Sequence, residues 1–128
     1  MKLVECVPNF SEGRDKEKIK AIVAEIETVP GVKLLDVDPG ESTNRTVVTL
    51  LGAPDAVKEA AFRAIAKAAE VIDMRTHKGA HSRIGATDVC PFVPVSGVTM
   101  EDCVKLAGEL GARVADELGI AVYLYEAA

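Results

Sequence analysis

The sequence predicts an α+β fold in which helices cover one face of a mixed or antiparallel sheet. Two observations carry this prediction. Short β-rich runs and longer segments of helical periodicity follow one another in the order β-α-β-β-α-loop-β-α-β. The strands do not alternate strictly with helices, as they do in parallel βαβ folds. The specific expectation is a ferredoxin-like sandwich with an added α-β unit.

The first half of the chain supplies five of these elements. Residues 2–8 form an apolar run that predicts a buried strand, and residues 15–28 place isoleucine and valine at helical spacing. The runs VKLLDVD and RTVVTLLG predict two strands that could pair as a hairpin with a long loop. The segment PDAVKEAAFRAIAKAAEVID predicts a helix, because it begins with proline and is rich in alanine, glutamate and lysine.

The second half supplies the remaining elements. The apolar run DVCPFVPV contains Pro91 and Pro94, which predicts an edge strand or an irregular extended segment. Thr99 and Asp102 have the spacing of a capping box at the start of a third helix, and Gly119 predicts the end of that helix. The run IAVYLY predicts a last strand.

Composition limits the class of protein. The 128 residues correspond to one domain, residues 1–128, and a hydrophobic fraction of 48% is enough for a core. The net charge of −5 argues against a nucleic-acid partner and against attraction to an anionic membrane. No apolar run approaches the roughly 20 residues of a membrane span, and the N-terminus has no signal-peptide pattern.

Cysteine usage points to a reducing compartment. Three cysteines without CxxC spacing do not make a disulfide framework. Buried, reduced thiols in a cytoplasmic protein are the expectation.

The segment DMRTHKGAHSRIGATD, residues 73–88, departs from this acidic background. It contains both histidines of the chain, His77 and His81, together with three cations. A histidine can serve as a general base near neutral pH, and the cations could hold an anionic substrate. The spacing of the histidines would also suit a metal on a helix, although Gly79 between them disfavours one and no third ligand is evident. A surface loop whose histidines bond to backbone is the third interpretation.

Two further polar segments follow predicted strands, where functional loops often lie. DVDPGESTNR carries Asp36, Asp38, Asn44 and Arg45, and it could equally be a solvated turn. CVPNFSEGRD carries polar residues that include Asn9, and Ser11 or Asp15 could instead cap the first helix.

Taken in order and spacing, three stretches resemble a known family. LVECVPNFSEGRD, LLDVDPGESTNRTVVTLLG and IDMRTHKGAHSRIGATDVCPFVPV are similar to the N-terminal subdomain of glutamate formiminotransferase, from Leu3 to Tyr125. The resemblance implies transfer of a formimino group from N-formimino-glutamate to N5 of tetrahydrofolate. Tetrahydrofolate would be the co-substrate, and no metal would be needed.

The resemblance also implies roles for particular residues. His81 matches the family's second histidine and would be the general base, and Asp38 would orient or charge-balance the site. The implied substrate and folate contacts are Arg45, Asn44, Lys78, Arg83, His77 and Asn9. Lys78 and Arg83 are suited to the carboxylates of glutamate or of the folate tail.

The chain also departs from the family pattern. Ala80 and Ser82 stand where the family loop commonly has Glu and Pro. In the family a second subdomain completes the folate site, and the expected partner here is a second copy in a homo-oligomer or a separate second-subdomain chain. A non-catalytic folate-binding, ligand-binding or interaction domain of the same descent is therefore the alternative prediction.

Overall fold

The computed structural model describes residues 1–72 and 87–119, without the side chains of residues 88 and 89. Its helices and strands confirm the predicted α+β class. In chain order they are β1 Leu3–Cys6, β2 Asn9–Phe10, α1 Lys16–Glu27, β3 Val32–Gly40, β4 Arg45–Gly52, α2 Pro54–Val71, β5 Thr87–Val89, β6 Phe92–Ser96 and α3 Met100–Leu118. Within these ranges, no helix has the length and apolar character needed to cross a membrane.

The strands form a sheet of four antiparallel rows, and two of these rows consist of two short strands that lie end to end. β1 and β2 lie end to end along one edge of β4, since Cys6 pairs with Leu50 and Asn9 pairs with Val47. β6 and β5 lie end to end along the other edge of β1 and β2. β3 pairs with the remaining edge of β4. The resulting order, β3, β4, β1–β2, β6–β5, is the strand order of a ferredoxin-like sheet and confirms that expectation.

The helices pack on one face of this sheet. Along β4 the buried residues alternate with partly exposed ones, and Val48 and Leu50 point into the core. α2 contributes fully buried alanines, whose small side chains allow the helix to lie close to the strands. The core therefore sits between one sheet face and the three helices, which leaves the opposite sheet face without a helical cover in the described part of the chain.

Helix ends follow the predicted chemistry. Asp15 caps α1, because its carboxylate accepts from the backbone N–H groups of Glu17 and Lys18. The capping box of Thr99 and Asp102 begins α3. Gly119 ends it in the left-handed conformation, with φ of 67°. The predicted capping box and the predicted end of α3 at Gly119 are thus confirmed. Of the two candidate caps of α1, Ser11 and Asp15, the structure shows Asp15.

The strand boundaries differ from the predictions in two places. The first predicted strand, residues 2–8, is divided, because Pro8 has no N–H to donate and lies between β1 and β2. The strand predicted over VKLLDVD continues to Gly40, so that residues 41–44 alone connect it to β4. Proline is tolerated at Pro39 because β3 is an edge strand. The last predicted strand, over residues 120–125, lies outside the described residues.

Candidate functional site

Two predicted site residues lie in one row across the open face of the sheet, the face that no helix of residues 1–72 and 87–119 covers. Asp38 in β3 pairs with Val47 in β4, and Val47 pairs with Asn9 in β2. Directly paired residues share a face, and Val47 alternates with the buried Thr46 and Val48. Asp38 and Asn9 therefore lie on the same face, separated by two strand spacings, or about 10 Å. The sequence placed them in separate segments, and the sheet brings them together.

Asn9 carries a buried oxygen without a hydrogen bond. Its Oδ1 atom is inaccessible to solvent and has no hydrogen-bond partner among the residues that the structure describes, and the same holds for Oγ1 of Thr87. The two residues lie on neighbouring strands, because β2 pairs with β5. A buried, unpaired polar atom costs about 1–3 kcal/mol, so native proteins have few of them. An acceptor in this state can take a hydrogen bond from a bound ligand without first giving up another.

Arg45 and Asn44 stand at the end of the hairpin formed by β3 and β4. Arg45 is exposed and is the first residue of β4, opposite Gly40. Asn44 has a positive φ of 53°, a conformation that asparagine tolerates better than most residues. Its Oδ1 accepts a hydrogen bond of 2.9 Å from the backbone N–H of Gly13. The oxygen of Asn44 thus holds the loop at Gly13 against the hairpin.

The loop over residues 11–15 is fixed against this hairpin. Gly13 lies so close that a Cβ atom there would be 2.4 Å from the carbonyl oxygen of Gly40. Arg14 donates from Nε to the carbonyl of Glu41 over 2.9 Å. These contacts explain the glycine, since any side chain would push the loop off the hairpin. No local sequence pattern predicts this packing, because the partners lie 27 to 31 residues apart along the chain.

Glu12 is the buried charge of the same loop. Its Oε2 atom accepts from the backbone N–H groups of Arg14 and Asp15 at 3.1 and 2.9 Å. The hydroxyl of Thr46 donates to its backbone carbonyl, and Lys18 Nζ lies 4.0 Å from Oε1. A carboxylate with this many donors is paired and held in place. The side chain of Glu12 therefore holds the loop in its conformation.

The four site residues predicted in the segment 73–88 lie outside the described residues: His77, Lys78, His81 and Arg83. The flanks of this segment are described. It follows α2 and leads into β5, which lies beside β2 and therefore beside Asn9. In residues 1–72 and 87–119, no three His, Cys, Asp or Glu side chains are grouped to hold a metal ion.

Comparison with known proteins identifies the family to which this chain is similar. A family model described as the formiminotransferase domain, N-terminal subdomain, matches residues 3–128. A formimidoyltransferase-cyclodeaminase of Gallus gallus is 59% identical over 124 residues, which cover 97% of this chain and 23% of that protein. Glutamate formimidoyltransferases of Thermoplasma acidophilum and Streptococcus pyogenes serotype M1 are 53% and 48% identical over 125 residues. Those alignments cover 98% of this chain and 41% and 42% of the relatives. The chain thus spans less than half the length of each of these relatives.

Proposed function

The chain belongs to the formiminotransferase N-terminal subdomain family, and from this membership we propose that it carries the general base of a folate-dependent glutamate formimidoyltransferase. The reaction would move a formimino group from N-formimino-glutamate to N5 of tetrahydrofolate and release glutamate. The observation that best supports a site here is the row of Asp38, Val47 and Asn9 on the open face, with its buried, unpaired acceptor.

His81 is proposed as the general base. It would take the N5 proton as N5 attacks the formimino carbon, and the tetrahedral species would then release the glutamate nitrogen. The protonated imidazole could return the proton to that leaving nitrogen, as acid–base pairs of near-neutral pKa do. A single histidine would thus serve both halves of the transfer.

Asp38 and Asn9 have complementary parts in this proposal. Asp38 is an exposed carboxylate on the open face, where it would orient or charge-balance the protonated base. The Oδ1 atom of Asn9 can only accept, so it requires an N–H or O–H donor. The formimino group and the reduced pterin both carry such donors. Asn9 would therefore orient a nitrogen of the substrate, and His77 is proposed as a further contact to the folate.

The cations are proposed to hold the carboxylates. Lys78 and Arg83 would bind the carboxylates of glutamate or of the folate tail, and Arg45 stands exposed at the polar end of the open face. Asn44 could add a contact through its NH2 group, since its oxygen is bonded to Gly13. Local positive charge would in this way attract an anion to a protein of net charge −5.

A second subunit or subdomain is proposed to complete the site, because the chain spans less than half the length of each of these relatives. A second copy of the chain or a separate second-subdomain chain would close the open face over the ligand. Closure excludes water and increases the ligand area that is buried. We also place the protein in the cytoplasm, where free thiols are the resting state and disulfides are transient.

The test is a turnover assay of the full chain with N-formimino-glutamate and tetrahydrofolate. His81→Ala should lose about 100-fold or more in kcat and keep its unfolding midpoint. His77→Ala is the matched control in the same loop, and it should raise KM more than it lowers kcat. Equal kcat in wild type and His81→Ala would remove His81 from the mechanism.

The same assay separates the transferase from the non-catalytic alternative. Binding of tetrahydrofolate without turnover, both alone and with a second-subdomain chain from a relative, would indicate a binding domain. Lys78→Ala and Arg83→Ala should weaken binding and reduce its salt dependence together. Equal affinity at low and high salt in the wild type would contradict the proposed clamp.

A further inference from the structure

We propose that Cys6 and Cys90 form a reversible redox pair, which a low-molecular-weight disulfide oxidises to an intramolecular disulfide. The Sγ atoms of the two residues are 3.3 Å apart. The bond would join β1 to the residues between β5 and β6, two parts of the chain separated by 84 positions. The inference is independent of the proposed transferase reaction, because neither thiol takes part in it.

The sheet register explains why the two sulfurs meet. Cys6 pairs with Phe92, and Asn9 pairs with Val89 on the continuation of the same strands. Cys90 therefore lies near Pro8, one diagonal step from Cys6, and both cysteines contribute to the core side of the sheet. A disulfide requires an S–S distance of about 2.05 Å, so the sulfurs need to approach by only about 1.2 Å from their 3.3 Å contact.

The two thiols differ in access. Cys6 is 0% exposed, whereas Cys90 is partly exposed. Burial, and secondly the hydrogen bond with Cys90, raise the pKa of Cys6 well above its usual value. Cys6 is therefore a poor target for a dissolved oxidant. Cys90 would meet the oxidant first, and Cys6 would act as the resolving thiol.

The Cys6–Cys90 disulfide forms in two successive thiol–disulfide exchanges, which balance in atoms and electrons. The Cys90 thiolate attacks one sulfur of the oxidant disulfide, forms a mixed disulfide and releases one thiolate. Cys6 then loses its proton to a departing thiolate, attacks Sγ of Cys90 and expels the second small thiol. Two protein thiols are oxidised, and one small disulfide is reduced to two thiols.

Cys103 provides an internal control. It lies in α3, is 1% exposed, and burial raises its pKa as well. It is therefore a buried thiol outside the proposed pair. A reagent that simply oxidised every thiol it could reach after partial unfolding would affect Cys103 together with Cys6.

The experiment uses the full reduced chain and glutathione disulfide. After incubation, free thiols are alkylated in denaturant, and the protein is analysed by intact mass and peptide mapping. We expect one alkylated thiol instead of three, a mass about 2 Da lower before alkylation, and a Cys6–Cys90 peptide that dithiothreitol separates. Three alkylated thiols, or a linkage that includes Cys103, would overturn the proposal.

Variants test the order of events. Cys103→Ser should form the disulfide as the wild type does. Cys6→Ala should stop at a mixed disulfide between Cys90 and one glutathione, because the resolving thiol is gone. Cys90→Ser should keep both remaining thiols free. A wild type that itself stops at the glutathione adduct would contradict the pair, and this result does not depend on whether the core variant Cys6→Ala folds.

Discussion

The two faces of the sheet contrast sharply, although they are built from the same strands. On the core face, Val48 and Leu50 are fully packed against helices. On the open face, the alternate positions include Asp38, Asn9 and Arg45. One step along a strand therefore separates a residue packed in the core from a residue on the opposite face, because side chains of a strand alternate in direction.

One buried polar atom from each face illustrates a difference in hydrogen bonding. Thr46 is a polar residue on the core face and is 1% exposed, and its hydroxyl has a partner in the carbonyl of Glu12. The Oδ1 atom of Asn9 on the open face is also buried and has none. Of these two buried oxygens, that of Thr46 is paired, whereas that of Asn9, like Oγ1 of Thr87, has no partner among the described residues.

The largest effect on the free energy of unfolding is expected from substitutions of neighbouring leucines in β4. Leu50→Ala should lower the free energy of unfolding by about 2–5 kcal/mol, because it leaves a cavity in the core. Leu51→Ala on the open face should cost less than about 1 kcal/mol, since that side chain is only partly buried. Urea denaturation of both variants measures the difference. Equal losses would mean that the open face is covered in the free chain.

The hairpin end should show an intermediate effect. Asn44→Ala loses the bond to Gly13 and places an ordinary residue at positive φ, so unfolding should become easier by about 1–3 kcal/mol. Asn44→Gly loses the bond but keeps the conformation, and it should cost less. If the two variants were equally stable, backbone conformation would not be the reason for asparagine at this position.

Asn9→Ala should separate ligand binding from stability. We expect the affinity for tetrahydrofolate to fall by about tenfold, which corresponds to about 1.4 kcal/mol. The free energy of unfolding should stay constant or rise, because an unpaired buried acceptor is removed. Thr49→Val, on the open face of β4, is the control and should leave binding unchanged. Lost stability with unchanged affinity would make Asn9 a structural residue.

The smallest effect on stability is expected at Glu59 of α2, which lies outside both faces of the sheet. Hydrogen bonds from Arg113 and Arg63, at 2.7 and 2.8 Å, lower the pKa of Glu59 from its ordinary value of 4.5. A lowered pKa stabilises the fold above the unfolded value, and this stabilisation disappears as the pH falls through the folded pKa. The side chain is 33% exposed, so solvent screening should keep the contribution below about 1 kcal/mol.

The measurement compares wild type with Glu59→Gln across pH. Wild type should be slightly more stable at pH 7, and the two proteins should converge in acid below the folded pKa of Glu59. Added salt should narrow the gap at pH 7. A gap that persisted in acid would indicate packing rather than charge, for example through the Arg113 guanidinium, which lies 3.7 Å from the ring centre of Phe62.

The sequence by itself determined what depends on neighbours along the chain. Helical and strand periodicity predicted the α+β class and its ferredoxin-like order, and the caps at Asp15, Thr99 and Gly119 were readable from local chemistry. Boundaries were less readable at Pro8 and Gly40. The first strand divides at Pro8, which has no N–H to donate, and β3 continues to Gly40 because it pairs there with β4.

Only the tertiary structure decided which distant residues meet. The register of β4 placed Asp38 and Asn9 in one row, and the register of β1 with β6 brought Cys6 to Cys90. The approach of Gly13 to Gly40 likewise depends on how a loop folds against a hairpin. Sequence periodicity reports which face a residue occupies, whereas cross-strand partners follow from packing of the whole sheet, because a shift of one residue would turn every side chain to the other face.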